Sequence, residues 1–351
     1  MADNHPLTVN FLPWLEVQEE IDIGPFRFWP FRKRADELVK DSHVRNYLEQ
    51  VFATYVQPQP FPDQKGKTIP ISELTVVTGD KYGFELPLEG ALLNQATNAL
   101  AFACIDSAGQ WNWCTSDNFE LVQLRFFPGD PNIGYQAGEI AQVKSYGWQL
   151  GEVLFQVPIY LNHHYIAKYD PDLISGLRFA VNNADRTEVQ TILRALDYFT
   201  QACKNSGDVR REMRIVLMAL AFEVLLDLCE ENPRRDFRPK IQGLCGDSSE
   251  PTQPYEIVDD RDGHVIATEV LTYKQIWAEE FYKLRNKIVH GRHFRTNDFL
   301  FNGQSHFRIA ELFFRVCVRK RLEGIPGSNY QCMGGVRQGP TGEFEFDLWA
   351  L

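Results

Sequence analysis

Arg285, Asn286 and His290 fall within one six-residue stretch of the segment LRNKIVHG, residues 284–291. A histidine exchanges protons near neutrality, because its ordinary pKa is ~6.5. An arginine keeps its charge and offers a planar fork that matches phosphate oxygens. An asparagine beside them can orient the phosphate or the imidazole without carrying charge. Together the three suit reaction at a phosphate, with Arg285 stabilising charge, His290 moving a proton and Asn286 positioning. That division of labour asks for no metal. The sequence offers no ligand cluster at zinc spacing, since His163 and His164 are adjacent and stand alone. No cofactor is expected.

The neighbouring candidates each carry two readings. Lys287, Arg292 and Arg295 can hold the phosphates of a nucleic acid, with His293 assisting His290. Equally, basic side chains at a helix end complement its dipole, and a loop histidine is often incidental. Glu223 stands inside an apolar segment, where a carboxylate needs a partner. It can hold Arg285 in place or serve only as a core polar contact. Asp106 and Glu120 resemble the acidic pair of a restriction-type nuclease, but Val122 stands where such a site needs a lysine, which rejects that reading. Trp14, Trp29, Trp111 and Trp113 are read as core rather than as platforms for bases.

These residues need elements to carry them. Residues 187–204 place Val189, Ile192, Leu193, Leu196 and Phe199 at helical spacing. Residues 209–230 form the most apolar helix, expected at the centre with Asp208 as its N-cap. A short helix is expected at 237–244, and two longer ones at 272–290 and 303–323. The acidic segment 247–271 reads as loop, with a hairpin at 255–270. The first half alternates instead. An extended segment over 17–31 is broken at Gly24-Pro25, and a helix carries Val44, Tyr47, Leu48, Val51, Phe52 and Tyr55 on one face. Strands are expected at 74–78, 98–105, 119–127 and 153–161. The fold class is α+β: a mixed α/β or β-rich domain over 1–185, an all-helical bundle over 186–323, and a Gly-rich tail over 324–351 whose Phe344, Phe346 and Leu348 suit a strand at a domain or subunit boundary.

Helix geometry limits how the pair can act. At about 100° per residue, Arg285 and His290 lie roughly 140° apart around an ideal helix. Either Gly291 ends the helix so that His290 folds back, or two copies of the segment face each other. The apolar stripe of Tyr273, Trp277, Phe281, Leu284 and Ile288 needs a packed environment, which places this helix at or beside a two-fold interface.

A chain of 351 residues has room for two domains, and 44% hydrophobic residues suffice for ordinary cores. No apolar run reaches the ~20 residues of a membrane helix. The start MADNHPLTVNF lacks a charged-then-apolar leader. Seven scattered cysteines without a C-x-x-C pair argue against a disulfide framework and point to a reducing cytoplasm. The net charge of −11 speaks against a polyanion partner until it is divided by region. Residues 1–185 hold 13 basic and 23 acidic side chains, and 247–271 hold 1 and 7. Residues 272–323 reverse the balance with 11 basic and 5 acidic. Positive charge is gathered where Arg285 and His290 lie, as a nucleic-acid site requires.

The segment RNKIVH resembles the R-N-x-x-x-H signature of HEPN domains. With YKLRNKIVHG and the earlier MALAFEVLL (218–226), it looks most like the ApeA-like branch associated with abortive phage infection. The resemblance covers about residues 187–323. It implies a HEPN-type helical bundle and a metal-independent ribonuclease with Arg285, Asn286 and His290 as catalytic residues. Attack by the ribose 2′-hydroxyl would leave a 2′,3′-cyclic phosphate and a 5′-hydroxyl. It also implies a homodimer whose protomers share a groove, and a toxin-like role in anti-phage defence. The N-terminal domain would then restrain the nuclease until it senses a phage-derived or host trigger. The alternative is a non-catalytic HEPN module for dimerisation or nucleotide binding. Intact Arg285, Asn286 and His290 favour the enzyme.

Overall fold

In the computed structural model of the protein, the described residues are 7–58, 67–79, 90–107, 114–126, 132–137, 144–149, 154–161, 164–207, 209–229, 231–246, 250–258, 264–332, 335–338 and 344–347. Both helices and strands are present, as an α+β chain requires. The chain divides into two compact units. The first comprises 1–182 and 204–207, and the second 183–203 and 208–351. The sequence alone places that division after 185.

The first unit is built on a seven-stranded antiparallel sheet. Its strand order is Lys144–Gln149, Asn132–Ala137, Val122–Phe126, Leu7–Leu12, Thr75–Gly79, Phe26–Pro30 and Ile21–Ile23. Strand alternation puts Val9, Phe11, Val76, Val122 and Leu124 into one core with Phe31, Leu48, Val51 and Phe52. The last four belong to helices α1 (Phe31–Leu38) and α2 (Ser42–Phe52). Asp41 starts α2 by accepting from the amides of His43 and Val44. The Gly24-Pro25 turn joins the last two strands of the sheet. Gly24 has φ +62°, and a Cβ there would meet Val181 Cγ1 at 2.3 Å, so the position needs glycine on both counts. The segment 204–207 is tied to this unit by Asp117, whose carboxylate accepts from the amides of Asn205 and Ser206.

Several expectations for this half are corrected. Residues 98–105 are not a strand but part of α3 (Gly90–Ser107). The middle of that helix is buried on every side, so it has no polar face to mark its period, while Ala99, Ala101 and Ala103 favour helix over strand. The strand expected at 153–161 shrinks to Phe155–Gln156, then Pro158 and a 3-10 turn at Ile159–Leu161. Residues 119–127 keep only Val122–Phe126 as strand, after a 3-10 turn at Ser116–Phe119. The unit also holds α4 (Pro171–Asn182). Trp14 is core, whereas Trp29 is half-buried and donates to Thr78 Oγ1 at 2.7 Å. Trp111, Trp113 and His163 lie outside the described residues.

In the second unit α6 (Arg211–Leu226) packs against α5 (Thr187–Ala202), α7 (Pro233–Cys245), α8 (Tyr273–Val289) and α9 (His306–Glu323). It is the central helix, as its apolar sequence predicts. Phe222 is the hub, meeting Phe237, Trp277, Phe281 and Phe314 edge to face. Such pairs add about 0.5–1.5 kcal/mol each beyond their buried area. The expected N-cap is corrected: Arg210 occupies that position without a side-chain cap, and Asp208 lies outside the described residues. The short helix of 237–244 is longer, because Pro233 sits at its first turn and Asn232 accepts from the Arg235 amide.

The unit is not all-helical. Thr252–Val258 pairs with Val265–Thr272, Leu300–Phe301 with Gln304–Ser305, and Gly335–Gln338 with Phe344–Asp347. The segment 247–271 is therefore largely a ribbon. The strand carrying Phe344 and Phe346 pairs inside its own unit, and Leu348 lies outside the described residues. Among the described residues no helix is long and apolar enough to cross a membrane.

Candidate active site

Helix α8 carries the motif and is bounded by local signals at both ends. At its start the Gln275 amide donates to Thr272 Oγ1 at 3.3 Å and the Thr272 amide donates to Gln275 Oε1 at 3.0 Å, a capping box. At its end Gly291 adopts φ +62°. The Arg292 amide donates to the Lys287 carbonyl at 2.8 Å, and the Gly291 amide to that of Ile288 at 3.1 Å. This reciprocal pair is the Schellman ending, in which a left-handed glycine satisfies the last carbonyls.

His290 is the last residue before that glycine. Its amide still donates to the Asn286 carbonyl at 3.0 Å, so its backbone stays on the helical path. Gly291 does end the helix, but His290 does not fold back towards Arg285, and that half of the expectation is corrected. The imidazole is exposed, and it makes no hydrogen bond or ion pair with another described residue.

Arg285 faces α6. Its Nη2 lies 3.2 Å from Glu223 Oε1, and its Nη1 donates to Asn286 Oδ1 at 3.3 Å. The Tyr282 hydroxyl donates to the same Glu223 oxygen at 3.3 Å. Burial pushes the Glu223 carboxyl above its ordinary range, while Arg285 and the Tyr282 hydroxyl pull it down. The Tyr282 hydroxyl is itself pushed up, first by burial and then by Glu223. The Arg285 and Glu223 side chains remain 20% and 21% exposed. The Arg285 Nε is buried without a hydrogen-bond partner.

Lys287 pairs with Asp298 at 3.0 Å, and the same carboxylate oxygen accepts from the Arg295 amide at 3.1 Å. Burial alone would raise the Asp298 carboxyl, but Lys287 and the Arg295 amide hold it below its ordinary range. The side chains of His293 and Arg295 are exposed and that of Arg292 is half-buried. The structure thus gathers Arg285, Asn286 and Glu223, and separately Lys287 with Asp298. It does not bring Arg285 to His290 within one chain.

Sequence reasoning misses Tyr282 and Asp298. Tyr282 carries a signal, since it precedes Arg285 by one helical turn and shares its face. Asp298 carries none, because a 3-10 turn at Thr296–Phe299 delivers it. The middle of the apolar stripe is packed within the unit. Trp277, Phe281 and Leu284 are buried, with Trp277 against Phe313 and Phe222. Tyr273 and Ile288 at the ends of the stripe are only half-buried. In the acidic segment Glu250 pairs with Lys274, and Glu269 with Arg238 at 3.1 Å. Residues 259–263 lie outside the described residues.

Among the described residues no group of three or more His, Cys, Asp and Glu side chains is placed to hold a metal ion. Comparison of the chain with models of protein families, with curated proteins and with solved structures finds no match.

Proposed function

We propose that the chain is a metal-independent endoribonuclease of HEPN type, acting as a toxin-like effector in anti-phage defence. The observation that carries this reading is the asymmetry of the motif: a guanidinium fastened by Glu223 and Asn286, and a free imidazole five residues later. In the proposed reaction a base takes the 2′-hydroxyl proton, the 2′-oxygen bonds to phosphorus, and the bond from phosphorus to the 5′-oxygen breaks. An acid then protonates the departing 5′-oxygen, leaving a 2′,3′-cyclic phosphate and a 5′-hydroxyl. Arg285 stabilises the charge on the non-bridging oxygens. The angular offset of the pair favours two copies facing each other, so that one His290 serves as base and the other as acid. The basic segment 272–323 would be doubled in such a dimer and would attract a polyanion in spite of the acidic remainder. The first unit is the proposed sensor that holds the nuclease in check.

A second reading rests on the same ion pair. If Arg285 serves only to join α8 to α6, the chain is a non-catalytic binding module. Incubating the purified full chain with mixed RNA in EDTA separates the two. The expected result is cleavage to 5′-hydroxyl and cyclic-phosphate ends. Arg285→Lys, which keeps charge and loses the fork, should cut far more slowly while RNA binding weakens only in part. Absence of cleavage with and without phage-infected lysate would hand the chain to the second reading. Sedimentation at micromolar concentration showing monomer alone would remove the shared groove.

A further inference from the structure

Beside α8 the second unit holds a cavity of about 290 Å³, at the small end of ligand-site sizes. Its α8 wall includes Lys283 and Lys287. Around an ideal helix both lie within about 60° of His290, whereas Arg285 lies about 140° away. The cavity therefore runs along the flank of α8 that ends at the free imidazole. From Lys287 to His290 the helix rises about 4.5 Å, comparable to the span from base to phosphate within one nucleotide.

The lining selects against a phosphate. Lys283 is tied to Glu280 at 2.8 Å and to the Tyr255 hydroxyl at 2.7 Å, and Lys287 to Asp298 at 3.0 Å. Each cation is offset by a carboxylate in the same lining, Glu280 from α8 and Asp298 from the 3-10 turn, so the cavity presents no net positive charge. What it does present is mostly polar surface, including Asn297 and Asn302, with Phe301 largely buried behind it. It also contains His306, which is 2% exposed and whose Nδ1 has no hydrogen-bond partner. Burial also pushes the His306 imidazole down to about 4, so it stays neutral near pH 7. A neutral group with hydrogen-bonding edges fits this lining better than an anion does.

We propose that this cavity is a nucleobase subsite, receiving the base of a single-stranded nucleotide whose phosphate lies at His290. The inference rests on the ribonuclease reading only for the identity of the polymer. Asn302 stands at a two-residue hairpin turn with φ 49°, followed by Gly303 at φ 80°, a turn that glycine tolerates equally well. The double variant Asn297→Ala, Asn302→Gly thus removes both amides without straining the backbone.

The test is calorimetric titration of the full chain with each of the four nucleoside 3′-monophosphates, with ribose 5-phosphate and with inorganic phosphate. At least one nucleotide should bind about tenfold more tightly than either base-free phosphate, a gap of about 1.4 kcal/mol. The double variant should lose about tenfold of that nucleotide's affinity with its melting temperature unchanged. Ribose 5-phosphate matching the best nucleotide, the double variant binding like the parent, or no nucleotide binding at all would each overturn the subsite. Cleavage with no dependence on the two amides removes the subsite and leaves the ribonuclease. Selective nucleotide binding by a chain that cuts no RNA does the reverse.

Discussion

The two flanks of α8 treat one motif in opposite ways. On the flank facing α6, Arg285 is held by Glu223 and Asn286, and Glu223 is steadied in turn by Tyr282. On the other flank His290 ends the helix with no partner among the described residues, beside a cavity whose wall includes the unsatisfied His306. On the proposed ribonuclease reading, the difference separates two demands of phosphate chemistry. A charge that must be aimed is fixed before the reaction, whereas a group that gives and takes a proton needs access.

Removing the free partner is the strongest test of that contrast. His290→Ala should lower RNA cleavage about 10²–10⁴-fold and leave the melting temperature unchanged, because the ring contacts no other described side chain through a polar bond. A folded variant that cuts at the parental rate would end the contrast along with the mechanism.

The next effect belongs to the buried side of the same flank. The His306 imidazole is pushed down from 6.5 to about 4 by burial, with Asp298 pulling it up. The folded chain refuses a proton that the unfolded chain accepts, so this stability is complete above pH 6.5 and is lost as the pH falls towards 4. The loss should reach about 3 kcal/mol by pH 4. Urea unfolding across this range should show it, and His306→Phe should flatten the slope. A slope unchanged in the variant would move the effect elsewhere.

Glu223→Gln probes the fastened side. The ion pair stays about a fifth exposed on each side, so replacing the carboxylate with an isosteric amide should cost little stability, on the order of 1 kcal/mol or less. The rate should fall about tenfold, because Arg285 loses its charged anchor. Equal losses in folding and in rate would make the ion pair merely structural. Smallest of all, Lys287→Ala should change RNA affinity only about twofold, because Asp298 already offsets that charge. A large loss in low-salt binding assays would show that Lys287 leaves Asp298 for the phosphate.

Both ends of α8 are legible in the sequence, since Thr272, Gln275 and Gly291 act within a turn of the helix they bound. The centrality of α6 is legible for a similar reason, as an apolar segment of that length must be surrounded. α3 is not, because a helix buried on all sides has no period to display. The candidate site divides in the same manner. Arg285, Asn286 and His290 are close neighbours along the chain and stand out together, and Glu223 stands out by its unlikely surroundings. Asp298 and His306 reach the site through a 3-10 turn and a short hairpin whose register no pattern announces. The ribbon at 252–272 shows the limit from the other side: its hairpin is visible in the sequence, but the ion pairs that occupy its acidic residues are not.

The units interleave, since 204–207 belongs to the first although α5 precedes it. On the ribosome this sets an order of birth. The last residues of the sheet unit are made before Arg285, with all of α6 and α7 still to come between them. At roughly 5–20 residues per second, synthesis leaves on the order of ten seconds in which the first unit is complete and the motif does not yet exist. A cell making this chain therefore has the proposed restraint in hand before the proposed nuclease.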